Sequence, residues 1–355
     1  MAGGFSTHFW PIGRESKPKQ FLDFPEIEGS FIQSTYKRCA EVVPEENIIV
    51  VAYQKHKDLV KEQLPGLPEE NLLLEPYSRH TAPCIAYATY VILKRNPDAV
   101  VLVTPSDLVV RDEEGFVNKI RKSLEYVGAH DILLTLGVEP TRPDPSFGYI
   151  QISGGNRSES EKDLPVKVKT FTEKPDLEIA KAFCDSGEFY WNSGMFLWKA
   201  SVIMEEMEKY TPEITRLFDG WEAALGSPAE EVWLERAYTD CPKLSIDYGI
   251  MEKTDRAWLC PVDFGWCDID TWQTMFEQLP KDESDNLCFA EKNYIRDTKG
   301  SLVISKNKDK LIAVKGLEDY VIVDTEDVLM ICPKDEKKYR DFIAGIGMPG
   351  FEDFR

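Results

Sequence analysis

The sequence predicts an α/β fold in two parts. A doubly wound domain around a mixed, mainly parallel sheet spans residues 1–283, and a small all-β domain over 284–355 ends in a short helix. Three observations carry this reading. Up to residue 140, short apolar runs alternate with amphipathic stretches, the pattern of a parallel sheet with crossover helices. From about residue 284 the period falls to two, in "SLVISK", "KLIAVK", "DYVIVDT" and "DVLMICP", which marks short half-buried strands. A chain of 355 residues, 43% hydrophobic and 29% charged, can bury one large core and a smaller one.

Taken in order, "NIIVVA" (47–52) reads as a buried strand and 55–64 as a helix with Leu59, Val60 and Leu64 on one side. "NLLLE" (71–75) is a strand, and a helix follows from Thr81 to Lys94, with Thr81 as N-cap and Pro83 in the first turn. "AVVLVT" (99–104) is the next strand, then a helix near 113–127 and the strand "DILLTLGV" (131–138). Beyond residue 140, "FGYIQI" (147–152) and "VKVKTFTEK" (166–174) read as a ribbon, and helices are expected at 177–186, 201–208, 213–225 and 228–236.

A formal net charge of −20 argues against nucleic acid or an anionic membrane as partner, because both are bound through basic surface. No apolar run approaches the roughly 20 residues of a membrane span, and the N-terminus does not read as a signal peptide. The eight cysteines form no CxxC pair, and reduced thiols in a cytoplasmic enzyme are expected.

Against that acidity, the opening stretch stands out: Gly3 and Gly4 are followed by Arg14, Lys17 and Lys19. It reads as a phosphate-binding loop or as a surface loop that carries lysines. Asp107 follows the strand "AVVLVT" and falls at its carboxyl end, where a carboxylate serves either to hold Mg²⁺ or to cap a turn. "DFGWCDIDTW" (263–272) adds the pair Asp268 and Asp270. In "FTEKP" the alternation of a strand end points Glu173 and Lys174 to opposite faces before Pro175. Asn192, in "YWNSGMF", needs hydrogen-bond partners that sugar hydroxyls or backbone can supply.

Together and in this order, these motifs resemble the sugar-1-phosphate nucleotidyltransferases, and most closely the bacterial mannose-1-phosphate guanylyltransferases. The similarity runs from Ala2 to about Cys332. It rests on "AGG…WPIGRESKPKQF", "EPYSRHTAPC", "TPSD", "RPDPSFGYIQ", "FTEKP", "WNSGMF", "SIDYGIMEK" and "GWCDIDTW". The resemblance implies a Rossmann-like catalytic domain followed by a small β domain. It also implies a reaction in which GTP and mannose 1-phosphate give GDP-mannose and pyrophosphate. By the same resemblance Ala2, Gly3, Gly4, Ser6, Thr7, His8, Arg14, Lys19, Thr81, Pro105 and Asp107 would hold the nucleotide. Gly148, Tyr149, Glu173, Lys174, Asn192 and Asp247 would hold the sugar phosphate, and Asp107 with Asp268 the Mg²⁺. Lys19, Lys174 and Asp107 would be the catalytic groups. The partners implied are the two substrates, within a monomer or a homo-oligomer, and neither nucleic acid nor a membrane.

Several positions depart from the family's pattern. Ser6 stands for its third loop glycine, His8 for its arginine, His80 for asparagine, Leu108 for histidine and Asp270 for glycine. The family's first strand would precede Ala2, so a chain starting at Met1 reads as truncated or as having a misplaced start. Three other readings stay open: the same fold with another nucleotide or sugar, a non-catalytic nucleotide-sugar-binding paralogue that regulates a partner, and a metal-dependent glycosyltransferase using "DID" (268–270) as its acidic motif.

Overall fold

The apolar runs of the first 140 residues become strands. They are β1 (Val50–Tyr53), β2 (Leu72–Glu75), β3 (Val100–Val103), the short β4 (Val109–Val110) and β5 (Leu133–Val138). Then come β6 (Tyr149–Ile152), β7 (Val166–Thr172), β8 (Phe189–Lys199), β9 (Ala257–Val262) and β10 (Trp266–Cys267). The computed structural model describes residues 1–4, 9–25, 27–153, 164–346 and 350–354. The chain divides into two units, Met1–Gly3 with Gln33–Cys267, and Gly4–Ile32 with Asp268–Arg355.

In the first unit six strands lie in the order β3-β8-β5-β9-β7-β6, and β1 pairs with β2 alongside. Met1 and Ala2 sit between β1 and β3. Ala2 N–H donates to Val51 O (2.7 Å), Met1 N to Thr104 O (2.8 Å) and Ser106 N–H to Met1 O (3.1 Å). β1, β2, β3, β5, β6 and β9 run one way, and β7 and β8 run against them. The sheet is therefore mixed and mainly parallel, as expected. Helices cover both faces. Thr81–Arg95, Ala200–Tyr210 and Glu230–Asp240 pack around Trp198 and Leu259 on one side. Glu113–Ala129 lays Phe116, Ile120 and Val127 against Leu134, Leu136 and Leu197 on the other. That last helix starts where Asp112 accepts the Gly115 N–H (2.9 Å), with Glu113 and Glu114 in the first turn facing the positive end of the helix dipole.

Local readings need two corrections here. The single helix expected over 213–225 is broken into Pro212–Thr215, a 3₁₀ turn and Trp221–Ala224, because Gly220 takes φ +82 between them. Thr81 is the first helical residue rather than the cap: its hydroxyl accepts the Ile246 N–H (2.8 Å) instead of serving its own helix. The cap position belongs to His80, at φ 64 and ψ −165, a region that essentially only glycine occupies without strain. His80→Gly is accordingly expected to raise stability by about 1 kcal/mol in urea denaturation, since such strain costs of order 1–3 kcal/mol; a lower midpoint would show that the histidine side chain compensates locally.

The second unit stacks strands two apart in sequence. β11 (Leu287–Phe289), β13 (Leu302–Ser305) and β15 (Tyr320–Asp324) pair in parallel, as do β12 (Lys292–Arg296) and β14 (Leu311–Lys315). β16 (Leu329–Pro333) closes the stack antiparallel to β15. Such n-to-n+2 pairing is that of a β-helix, in which every second residue points in. β14 shows it, with Ile312 and Val314 buried and Leu311 and Lys315 exposed. The expected final helix is present as Glu336–Ile346. The Trp10 backbone carbonyl accepts from Tyr339 Oη (3.1 Å) and Trp272 Nε1 (3.2 Å), which fastens the N-terminal segment of this unit to two of its helices.

Candidate active site

Space at Gly148 organises one cluster of the first unit. A methyl on its Cα would stand 2.3 Å from Glu173 Oε2 and 3.3 Å from Asn192 Cβ, so a side chain here would displace the Glu173 carboxyl. Its carbonyl accepts the Asn192 N–H (2.8 Å). Gly194, at φ +73, lies where the β5–β8 register shifts, and its N–H donates to Asn192 Oδ1 (3.1 Å). The Asn192 amide is thereby turned so that Nδ2 donates to Asp247 Oδ1 (2.9 Å). Asp247 opens a π-helical turn, Asp247–Met251, of a kind frequent at functional sites.

Glu173 completes the cluster. Its Oε2 is buried and has no hydrogen-bond partner among the described residues. Burial pushes this carboxyl up to about 7; the Asp247 charge adds to the shift and Lys174 opposes it. Burial also raises Asp247 and Glu252. The opposite-face reading of Glu173 and Lys174 does not hold. β7 stops at Thr172, short of both residues, and Lys174 takes φ +47, in the left-handed region, so strand alternation does not set their directions.

Tyr149 is a second correction. Strand alternation sends it away from Gly148 into a core with Ala180 and Trp191, fully buried, its hydroxyl accepting the Asp144 N–H (2.9 Å). Its side chain does not face the Glu173 cluster. Gly148→Ala is expected to force Glu173 aside and lower turnover by about tenfold or more, about 1.4 kcal/mol of lost transition-state binding, while circular dichroism stays unchanged. Full activity would mean that Glu173 is not placed by this contact.

At the carboxyl end of β2 lies a residue that the sequence reading did not single out, although "EPYSRHTAPC" contains it. Glu75 is 4% exposed, accepts from Tyr238 Oη (3.0 Å), and faces Gly3, where a Cβ would meet its Oε2 at 2.8 Å. Burial pushes this carboxyl up to about 7, against the pull of the Tyr238 hydrogen bond and the N-terminal charge. An acid at a strand's carboxyl end was the available signal. Thr81 belongs to the same neighbourhood in sequence and anchors the 244–246 segment: Ala82 N–H donates to Leu244 O (3.0 Å) and Ile246 N–H to the Thr81 hydroxyl. Pro105 and Asp107 occupy the turn between β3 and β4, as the strand-end reading requires. Leu108, where the family's pattern has histidine, is core and packs in the cluster of Val110 and Phe116.

In the second unit Lys19 is fully buried, and Nζ donates to Asp268 Oδ1 (2.8 Å) and Asp270 Oδ1 (2.7 Å). Its ring neighbour is Phe31, whose centre lies 5.5 Å from Nζ. The triad brings together two predicted functional residues and one departure, and two carboxylates on one ammonium leave a net charge of −1. Arg14 is placed elsewhere than the phosphate reading put it. Its guanidinium forms a two-pronged pair with Asp327 (2.7 and 2.6 Å), and this holds the Asp327 carboxyl down at about 2. The arginine fork matches a carboxylate as well as it matches a phosphate. Gly4 accepts from Gln20 Nε2 (3.1 Å), while Ser6, Thr7 and His8 lie outside the described residues.

The model of the nucleotidyl transferase family matches residues 1–285. The chain belongs to this family. A second model, that of the mannose-phosphate isomerase/GMP-like β-helix domain, matches residues 293–339 of this nucleotidyltransferase. It is 36% identical over 355 residues to the xanthan biosynthesis protein XanB of Xanthomonas campestris pv. campestris, covering 99% of this chain and 73% of that one. It is 35% identical over 344 residues to a mannose-1-phosphate guanylyltransferase of Escherichia coli K12, covering 94% and 70%. A crystal structure from Thermus thermophilus, titled mannose-1-phosphate geranyltransferase, matches with a TM-score of 0.85 at 27% identity over 98% of both chains. The resemblance read from the eight motifs therefore holds, and so does the fold class. Nucleotidyltransferases of this family generally use a divalent metal ion. The donor chemistry of the first unit fits: Asp107, in the turn after β3, offers carboxylate oxygens, and a hard divalent ion bound with phosphates needs only one or two such groups. No helix of the described residues is long and apolar enough to cross a membrane.

Proposed function

We propose that this nucleotidyltransferase transfers GMP from GTP to mannose 1-phosphate, releasing pyrophosphate and yielding GDP-mannose. The observation that carries the reading is the Glu173 cluster. A buried carboxylate oxygen without a donor, beside an amide and a second carboxylate, is an acceptor set for the hydroxyls of a sugar. The names of the E. coli and T. thermophilus relatives support mannose 1-phosphate as the acceptor.

In the reaction a phosphate oxygen of mannose 1-phosphate attacks the α-phosphorus of GTP, and the bond from that phosphorus to the bridging oxygen of pyrophosphate breaks. The attacking group is already an anion, so the protein's task is alignment and charge compensation. Lys174, held beside Glu173, offsets the sugar phosphate, and Glu173 and Asn192 orient the ring. Lys19 contributes the cation for the triphosphate. Asp107 would hold Mg²⁺, which would supply charge neutralisation of the phosphates when bound. Glu75 reads the base: guanine presents N1–H and an exocyclic amine side by side, a donor pair that a carboxylate accepts, whereas adenine presents an amine beside an acceptor. A cytoplasmic setting, in which cysteines stay thiols, belongs to the same proposal.

Pyrophosphate release across the four nucleoside triphosphates and the 1-phosphates of mannose, glucose and N-acetylglucosamine tests the reading. GTP with mannose 1-phosphate is expected to give the highest kcat/KM. Preference for another pair moves the enzyme to a sister activity, and tight GDP-mannose binding without any release makes it a nucleotide-sugar-binding protein.

A further inference from the structure

The second unit holds a pocket that shares Phe31 with the Lys19 triad but includes none of the residues assigned to the substrates. Its apolar walls are Phe24, Phe31, Trp272, Met275 and Ile304, each less than 9% exposed. Its cavity volume is about 90 Å³, and its mouth is open to solvent. The floor accommodates one six-membered ring or a branched alkyl group, and dry apolar cavities of this order bind such bodies. Asp23, Ser305 and Lys306 also line the pocket, and the two charged residues are solvent-exposed, which sets them at the open end.

Lys306 gives the mouth its sign. Among the described residues its ammonium makes no ion pair within 4 Å. The surrounding walls restrict its hydration and hold it below the usual lysine range, with Asp23 opposing and Lys17 adding to that effect. The charged residues that line the opening are Lys306 and Asp23, with Lys17 near enough to act on Lys306 through its charge. An ammonium without an ion-pair partner among the described residues, at the rim of an apolar pocket, is complementary to an anion that carries its own apolar body.

We propose that this pocket binds a small monoanion made of a single ring or branched alkyl group and one carboxylate or phosphate-type head. The body fills the floor against Phe24 and Met275, and the head takes the Lys306 ammonium as its charge-assisted donor. Phe31 is shared, because one side of its ring forms the wall and Lys19 lies over its face. Occupancy therefore bears on the residue that supports the Lys19 triad.

The test uses 4-fluorobenzoate as the probe and 4-fluorobenzyl alcohol as its neutral counterpart, followed by fluorine NMR on the full chain. Wild type is expected to bind 4-fluorobenzoate saturably and at least tenfold more tightly than the alcohol. Lys306→Met should weaken the benzoate about tenfold and leave the alcohol within twofold, whereas Asp23→Asn should tighten the benzoate severalfold; both changes are at exposed positions. Ile304→Phe, which fills the floor, should abolish both ligands; if that variant does not fold, Overhauser contacts from the probe ring to the Met275 methyl locate the ligand instead. Benzoate binding that is non-saturable, indifferent to Lys306→Met, or without contact to Met275 and undiminished by Ile304→Phe overturns the proposal. None of these measurements depends on turnover, so they stand or fall apart from the nucleotidyl-transfer reading.

Discussion

Lys19→Met is expected to destabilise the protein by about 2–4 kcal/mol and to abolish turnover. Removing one partner of a buried ion pair costs about 3–5 kcal/mol, because the remaining charge is left without compensation. Here two carboxylates are left facing each other, but the Asp270 side chain is 41% exposed and the Asp268 side chain 24%, so water offsets part of the loss. The size of the effect is read from urea denaturation. Its cause is read from a second substitution: adding Asp270→Asn to Lys19→Met should recover part of the stability and none of the activity, since repulsion is relieved while the cation is still missing. Recovery of both would place Lys19 in a purely structural role. Asp270→Gly alone is expected to lower KM for GTP, because a carboxylate that competes with the triphosphate for the ammonium is gone.

Glu75→Gln should produce an effect of opposite sign on stability. In the folded chain this carboxyl holds its proton up to about 7, against an ordinary value near 4.5. Between those values the folded state binds more protons than the unfolded state, so stability falls as pH rises through the window. Glutamine does not ionise and escapes that fall. At pH 8 the variant is expected to be more stable than the parent by up to about 3 kcal/mol, and at pH 4 the two should coincide. The same variant loses the acceptor pair for guanine, so the preference for GTP over ATP should drop by about tenfold or more. Parallel stability curves at all pH values would exclude a buried, protonated Glu75. An unchanged nucleotide preference would remove it from base recognition while leaving its stability role intact.

Much of the fold was legible because it rests on local periodicity. The alternation of apolar and amphipathic runs marks strands and helices up to residue 138, and period two marks the β-helix strands. Strand direction is not encoded in that periodicity. β8 is an apolar run like its neighbours, and only tertiary pairing with β3 and β5 shows that it runs against them. The cluster of Gly148, Asn192 and Glu173, proposed above for the sugar, was readable for a similar reason: each sits in a short motif whose chemistry is visible in one dimension. What escaped is pairing over long separations. Lys19 meets Asp268 and Asp270 across 249 and 251 residues, and Arg14 meets Asp327 across 313. The one-dimensional pattern of the basic loop therefore does not show that Lys19 and Arg14 have carboxylate partners. Tyr149 was misassigned because a motif names residues and not faces, and the pleat turns every second one away.

The pairing of β1 and β2 has a kinetic consequence. Among the strands of the described residues these two pair with each other over four positions, whereas β5 is bonded to β8 on one edge and to β9 over six positions on the other. Strands held along one edge open at a lower free energy than a strand held on both. The amides of β1 and β2 should therefore exchange with deuterium well before those of β5 and β9, so that this edge behaves as a separate cooperative unit rather than melting with the rest.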